Sequence, residues 1–394
     1  MISSTEDEVV RPENVAQLSE VIQTAAAGRR TLKLSRRSHS VASVDVGAKT
    51  SPQLLDLSAM SGVVDYPARD MTITVQAGLP VLKLQEILAT ENQQLPIDCC
   101  DEAMTVGALV ASDVSGPRQF GYGTLRDYVI GIEAVDGQGR IFHAGGRVVK
   151  NVAGYDLCRL MVGSRGALGV ISQVTFKVKP RPEARRLISF RFDSDTAFET
   201  ALVRLNLTAA TPTILDFATE GSVRWLHLGV EGSEAVCEWQ LNQLTDECCS
   251  SGHAAETEVN DVEYCCRFMQ QISGDGSVET SSDRQTNQNL SAIPLRLVVP
   301  PSNLTTVTEI LQRRSVNSFG HAGHGIVYVP FSNRQDESPM ADEDRSELIA
   351  FCRRLALERN GHVTEWQADH PAARTDSVTR RLCDTFDPSS VFQR

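Results

Sequence analysis

Residues able to do chemistry concentrate in three glycine- and serine-rich segments of the 394-residue chain. Residues 104–116 (MTVGALVASDVSG) offer Thr105, Gly107, Ala108, Ala111, Ser112, Asp113, Ser115 and Gly116, and residues 121–127 (GYGTLRD) add Gly123, Thr124 and Asp127. Residues 163–171 (GSRGALGVI) supply Gly163, Gly166, Leu168, Gly169, Val170 and Ile171 at the entrance to an apolar strand. Small residues let main-chain amides approach a flat or anionic ligand closely. Each segment alone reads as an ordinary turn; together with Lys150, Asn151, Tyr155 and Asp156 they point to a dinucleotide site. The pattern is not the strand–GxGxxG–helix fingerprint of a Rossmann fold, and no phosphate-binding P-loop is present to support an ATPase.

Other candidates are weaker. His321 and His324, in GHAGHG, lie three apart, but the surrounding glycines favour a loop over a shared helix face. His321 is a candidate substrate-side or catalytic residue, no other catalytic base is evident, and no bound metal is expected. His39, His143 and His253 read as surface residues. Arg118 and Arg126 suit a phosphate or a carboxylate, or equally a surface salt bridge. The ten cysteines include three adjacent pairs but no C-x-x-C, so an iron–sulfur or zinc site is not expected and free buried thiols are.

The formal charge of −12 argues against nucleic acid, which needs a basic face. No stretch approaches a membrane span, and the acidic N-terminus (MISSTEDE) lacks the order of a signal peptide. The expectation is therefore a cytoplasmic protein, associated with membrane only through partners.

The elements that must position these residues follow from periodicity. Helices are predicted over 15–27, 80–90, 196–206, 233–247, 304–314 and 343–359. Strands are predicted over 31–34, 54–57, 71–75, 187–192, 213–218, 223–230, 295–299, 325–329 and 362–366. Strands 128–135 and 140–143 flank Asp136-Gly137-Gln138-Gly139 and read as a hairpin. Residues 104–124 and 272–290 read as irregular, and KPRPEAR (179–185) as a hinge.

The segments 105–131 (TVGALVASDVSGPRQFGYGTLRDYVIG), 145–171 (GGRVVKNVAGYDLCRLMVGSRGALGVI) and 179–182 (KPRP) resemble the FAD-binding domain of the vanillyl-alcohol oxidase/p-cresol methylhydroxylase (PCMH-type) superfamily, in the branch formed by the FAD-binding subunits of glycolate oxidase. Similarity is close over the N-terminal half and weaker in residues 223–232, 320–329 and 386–392. The resemblance implies an α+β fold: a PCMH-type two-subdomain FAD-binding domain (1–182), an α+β cap domain with an antiparallel sheet on the substrate side (183–375), and a C-terminal tail (376–394) packing back on the FAD domain. It implies non-covalent FAD, with 105–116 and 121–127 around the pyrophosphate, ribityl chain and flavin edge, and 163–171 on the adenosine part.

It further implies oxidation of glycolate or a related 2-hydroxy acid in complex with a second flavin subunit and an iron–sulfur subunit. The family's glycine-bearing pyrophosphate loop corresponds here to Ser35, Arg36, Arg37, Ser38, His39 and Ser40, which hold no glycine; hydroxyls and guanidiniums would take the amides' place. In related subunits the GHAGHG motif contributes to a substrate or metal site and ends in a further histidine, near where Tyr328 stands here. The alternatives are a scaffold subunit that has lost flavin and a stand-alone FAD-dependent alcohol or hydroxy-acid oxidoreductase.

Overall fold

The computed structural model describes residues 9–34, 52–146, 156–249, 255–273, 294–331, 340, 342–365 and 377–392. Two compact units divide the chain: Met1–Ser115, Thr124–Arg181 and Asp369–Arg394 form the first, Gly116–Gly123 and Pro182–Ala368 the second. Residues 116–123 thus belong with the second unit and the tail with the first.

In the first unit, helix α1 (Val15–Gly28) buries Leu18, Ile22 and Ala25 along one stripe. The Asn14 side chain caps it by accepting from the Gln17 amide, and Arg29 closes it in the left-handed region. Strands β1 (Leu32–Leu34) and β2 (Gln53–Leu55) pair in parallel. Strands β3 (Val63–Asp65), β4 (Thr72–Gln76), β5 (Val129–Val135), β6 (Ile141–Gly145) and β7 (Val170–Lys177) form an antiparallel sheet ordered β3-β4-β7-β5-β6. Helix α2 (Val81–Ala89) starts after Pro80, as its missing N–H allows. Helix α3 (Val106–Ser112) lies within the segment read as irregular: its small residues mask the helical stripe, and Thr105 is its cap.

The tail is anchored in this unit's core. Val391 and Phe392 pack with Leu18, Ile22, Leu32, Leu55, Val135 and Val170, and the Leu32 amide donates to the Val391 carbonyl at 2.7 Å. The helix Ser377–Phe386 leads into Asp387, whose fully buried carboxylate accepts from the Val391 amide at 2.8 Å and the Phe392 amide at 3.1 Å. Asp387→Ala strips two buried amides of their acceptor and is expected to cost about 2 kcal/mol, read as a lower denaturation midpoint at unchanged slope.

The second unit is built on an eight-stranded antiparallel sheet of β8 (Ala184–Phe192), β9 (Ile214–Glu220), β10 (Val223–Gly232), β11 (Ala255–Val259), β12 (Leu295–Val298), β13 (Phe319–His321), β14 (Ile326–Val329) and β15 (His362–Glu365). Their order is β11-β8-β10-β9-β13-β14-β12-β15. Alternation sends Phe190, Leu226, Leu228 and Phe217 to one face, into a core shared with α4 (Asp195–Leu205), α5 (Glu234–Cys249), α7 (Leu304–Arg313) and α8 (Asp342–Glu358). The other face carries Ser189, His227, Asp216 and His321 across four neighbouring strands. Helix α6 (Asp261–Ser273) packs on it, its Cys265 against Leu187 and Ile214.

The periodicity of the sequence pointed to none of α6, β11 and β13. Asn260 is the capping signal for α6, its side chain accepting from the Glu263 amide at 3.0 Å.

Eight cysteines are free thiols, six of them buried. Cys100 and Cys266 are not among the free thiols, a departure from free thiols throughout. Among the described residues, no helix is long and apolar enough to cross a membrane.

Candidate functional site

In the first unit, segments far apart in sequence converge. The Gly163 amide donates to the Val110 carbonyl at 3.0 Å and the Arg165 amide to Ala111 at 2.8 Å, which ties residues 163–165 to the C-terminal end of α3. Asp113 and Arg165 both turn in the left-handed region there. A Cβ on Gly163 would lie 3.3 Å from that of Asp113, and a Cβ on Gly166 the same distance from Leu34 Cδ1. Leu34 is the last described residue before Ser35–Ser40, and two of the segments singled out from sequence, 104–116 and 163–171, meet beside it. Ser35, Arg36, Arg37, Ser38, His39, Ser40, Lys150 and Tyr155 themselves lie outside the described residues.

The N-terminal turn of α3 offers a ligand little. The amides of Val106, Gly107 and Leu109 donate to the carbonyls of Leu79, Ala77 and Thr105, and the Ala108 amide donates to the Thr105 hydroxyl. Gly107 is explained by packing, since a Cβ there would come within 2.9 Å of the Ala77 methyl carbon. Ser112 returns its hydroxyl to the Leu109 carbonyl at 3.1 Å.

Gly163, Gly166 and Gly169 have φ values of 76°, 77° and 151°, a region favouring glycine. Leu168, Val170 and Ile171 are buried, and Val170 and Ile171 pair with Val135 and Ala134 of β5. Thr124 and Asp127 form a capping box in which the Thr124 amide donates to Asp127 at 2.9 Å. Gly116 and Gly123 stand in the second unit.

Arg118 is not free for an anion. Within the second unit its guanidinium is 2.6 Å from Glu231 and 2.6 Å from Asp261. Arg126 reaches the Arg159 carbonyl at 3.1 Å. His143 pairs with Glu133 at the surface.

The second unit holds a polar cluster between its sheet and α6. His321 is fully buried, with Nδ1 2.7 Å from Asp216 Oδ1, while Tyr264 donates to Asp216 Oδ2 at 3.1 Å. A carboxylate only accepts, so the His321 Nδ1–H donates to Asp216. Its Nε2 is buried with no hydrogen-bond partner among the described residues. The ring lies 4.8 Å from Phe268 and 5.9 Å from Tyr328. His324, in the 3-10 turn Ala322–His324, meets the Phe120 ring edge-on. Burial pushes the His227 pKa down to about 4, assisted by the Arg267 charge. Among the described residues no three His, Cys, Asp or Glu side chains group as metal ligands.

Comparison with known proteins agrees with the geometry of the first unit. A family model described as an FAD binding domain matches residues 7–145. The glycolate oxidase subunit GlcE of Escherichia coli is 40% identical over 152 residues, which cover 37% of this chain and 43% of that protein. The glycolate oxidase subunit GlcD of Bacillus subtilis is 31% identical over 92% of this chain and 80% of its own length. The chain belongs to this family of FAD-linked oxidoreductases. A solved structure of alkyldihydroxyacetonephosphate synthase superposes with a TM-score of 0.69 at 15% identity, covering 97% of this chain and 75% of that one, and shows the same PCMH-type fold.

FAD is the cofactor of this oxidoreductase, and the glycine-lined convergence fits it: a flat, elongated, anionic ligand there meets main chain and not side-chain bulk. Gly163→Ala places a β-carbon in the left-handed region beside Asp113, at an expected cost of about 1–2 kcal/mol. The flavin-to-protein absorbance ratio of the purified variant should fall with it.

Asp216, His227, Tyr264 and Phe268 were not singled out from sequence. Asp216 stands 105 residues before its partner His321. The usable signal was the alternation of β10, which puts His227 opposite the leucines of the core.

Proposed function

We propose that the chain is the FAD-carrying subunit of a glycolate-type 2-hydroxy-acid dehydrogenase, acting with a second flavin subunit and an iron–sulfur subunit. The observation that carries this is the meeting of residues 110–113, 163–166 and Leu34 in one glycine-lined place, in a chain similar to both GlcE and GlcD. Asp113 to Ser115, Gly163 and Gly166 would hold non-covalent FAD, with Ser35–Ser40, Lys150 and Tyr155 completing the site and Gly169 turning the chain into β7. Bound FAD supplies a two-electron acceptor for a hydride from the carbinol carbon. In a cytoplasmic complex, electrons would pass onward through the partners to serve glycolate catabolism.

Affinity capture of the tagged chain from its native source should bring down a second flavoprotein and an iron–sulfur protein, with glycolate-dependent dye reduction in the captured material. Dye reduction at full rate by the chain alone would instead favour a stand-alone oxidoreductase, the reading that near-full-length similarity to GlcD supports. Capture with neither partners nor dye reduction would refute the proposed assignment.

A further inference from the structure

Helices α4 and α5 lie side by side over the core face of the second unit's sheet and run in opposite directions. Asp195 places the start of α4 at one end of the β8–β10 pair, 2.7 Å from the guanidinium of Arg224, which stands across from Phe192. The start of α5 is placed at the other end, where Ala184 faces Gly232 and Arg186 reaches Glu234 at 2.7 Å. The C-terminal end of α4 therefore comes level with the first turns of α5. The loop after α4 is tied there, the Thr211 amide donating to the buried Gln240 side-chain oxygen at 2.7 Å.

Four large apolar side chains turn outward at this end of the layer. Val203 and Leu207, four residues apart, are 57% and 86% exposed, and Val236 and Trp239, three apart on α5, are 47% and 51% exposed. Single exposed apolar residues are ordinary, whereas a group gathered round a tryptophan marks a surface that a partner covers. Its rim is acidic. Helix α5 carries Glu234, Glu238, Asp246 and Glu247 with no lysine or arginine, and α4 adds Asp195 and Glu199 against Arg204.

We propose that this end of the α4–α5 layer docks the second flavin subunit, through an apolar hollow on that subunit ringed by lysine and arginine. The inference rests on the multi-subunit reading above and gives that assembly its contact surface on this chain. Charge argues against a second copy, because a two-fold pairing of this chain, whose formal charge is −12, would set the acidic rim against itself. A basic rim instead speeds encounter and fixes register. Similarity of this one chain to both GlcE and GlcD implies that the two flavin subunits share a fold. Like-folded subunits commonly meet through equivalent faces, which favours the flavin subunit over the iron–sulfur subunit here.

The test uses the complex captured with the tagged full chain. With a photoreactive phenylalanine analogue in place of Trp239, illumination should link the chain to the second flavoprotein, at a segment holding lysine or arginine. Trp239→Ala and Leu207→Ser should each lower retention of that subunit about tenfold. Glu238→Lys should weaken retention and flatten its dependence on salt. Val262→Ser, at an exposed apolar position of α6, should leave retention unchanged. All these side chains are exposed, so melting temperature and flavin content should match the wild type, which separates lost docking from lost folding.

Retention that survives both truncations, or a cross-link to the iron–sulfur protein or to a second copy, overturns the proposal and leaves the hydroxy-acid reading standing. Wild-type chain that captures no second flavoprotein overturns it together with the assembly proposed above.

Discussion

Arg118→Ala should destabilise the second unit by about 3–5 kcal/mol, the range for breaking a buried ion pair and leaving its partners charged. Arg118 is 8% exposed and serves two carboxylates at once, its Nε 2.6 Å from Glu231 and its Nη2 2.6 Å from Asp261, with Nη1 3.3 Å from Cys265 Sγ. Tyr122 donates to the second Glu231 oxygen at 2.6 Å, so the network ties residues 116–123 to β10 and α6. Arg118→Lys keeps the charge without the planar fork, and an intermediate loss is expected. Denaturant unfolding followed by tryptophan fluorescence reads both, since Trp225 and Trp239 lie in this unit. The flavin content of whatever variant protein folds should be unchanged, because this arginine stabilises the second unit and binds no phosphate. A variant as stable as the wild type would contradict the assignment.

Acidification should destabilise the second unit through His227. Its pKa is pushed down to about 4 by burial, with the Arg267 charge adding to the effect. Nδ1 is 2.7 Å from the Ser189 hydroxyl, and the ring packs against Tyr264 and Trp225. The unfolded chain, with an ordinary imidazole, binds the proton more readily than the folded one between about pH 6.5 and the folded value. Stability from the neutral ring is thus complete above about pH 6.5 and is lost as pH falls through the window towards 4. The depression corresponds to at most about 3 kcal/mol; the ring keeps partial solvent contact, which brings the expected loss to about 1–2 kcal/mol. His227→Gln should flatten this part of the pH–stability curve. An unchanged slope would show that other groups carry the acid sensitivity.

Much of the architecture was legible where the residue pattern is local. The helix Val15–Gly28, the hairpin around Asp136–Gly139 and six of the eight strands of the second unit agree with periodicity to within a few residues. The Asp136 carboxylate fixes that hairpin turn by accepting from the Gln138 and Arg140 amides. Helix α3 was hidden because Gly, Ala and Ser leave little apolar contrast. Helix α6 was hidden because Cys265, Phe268 and Ile272 face inward from an otherwise polar stretch.

The site was legible in part. Glycines at 163, 166 and 169 announced close approach, and their positive φ values are its backbone expression. What composition could not give was which amides were already spoken for, as in the first turn of α3. Nor could it give pairings set by sheet register over a hundred residues, as for Asp216 with His321.

The most direct measurement is the visible absorption spectrum of the purified full chain, taken before and after acid precipitation. The native protein should show flavin bands that pass entirely into the supernatant, as FAD held without a covalent bond. A protein that is colourless, and stays so after incubation with FAD, would contradict it and leave a flavin-free scaffold in its place.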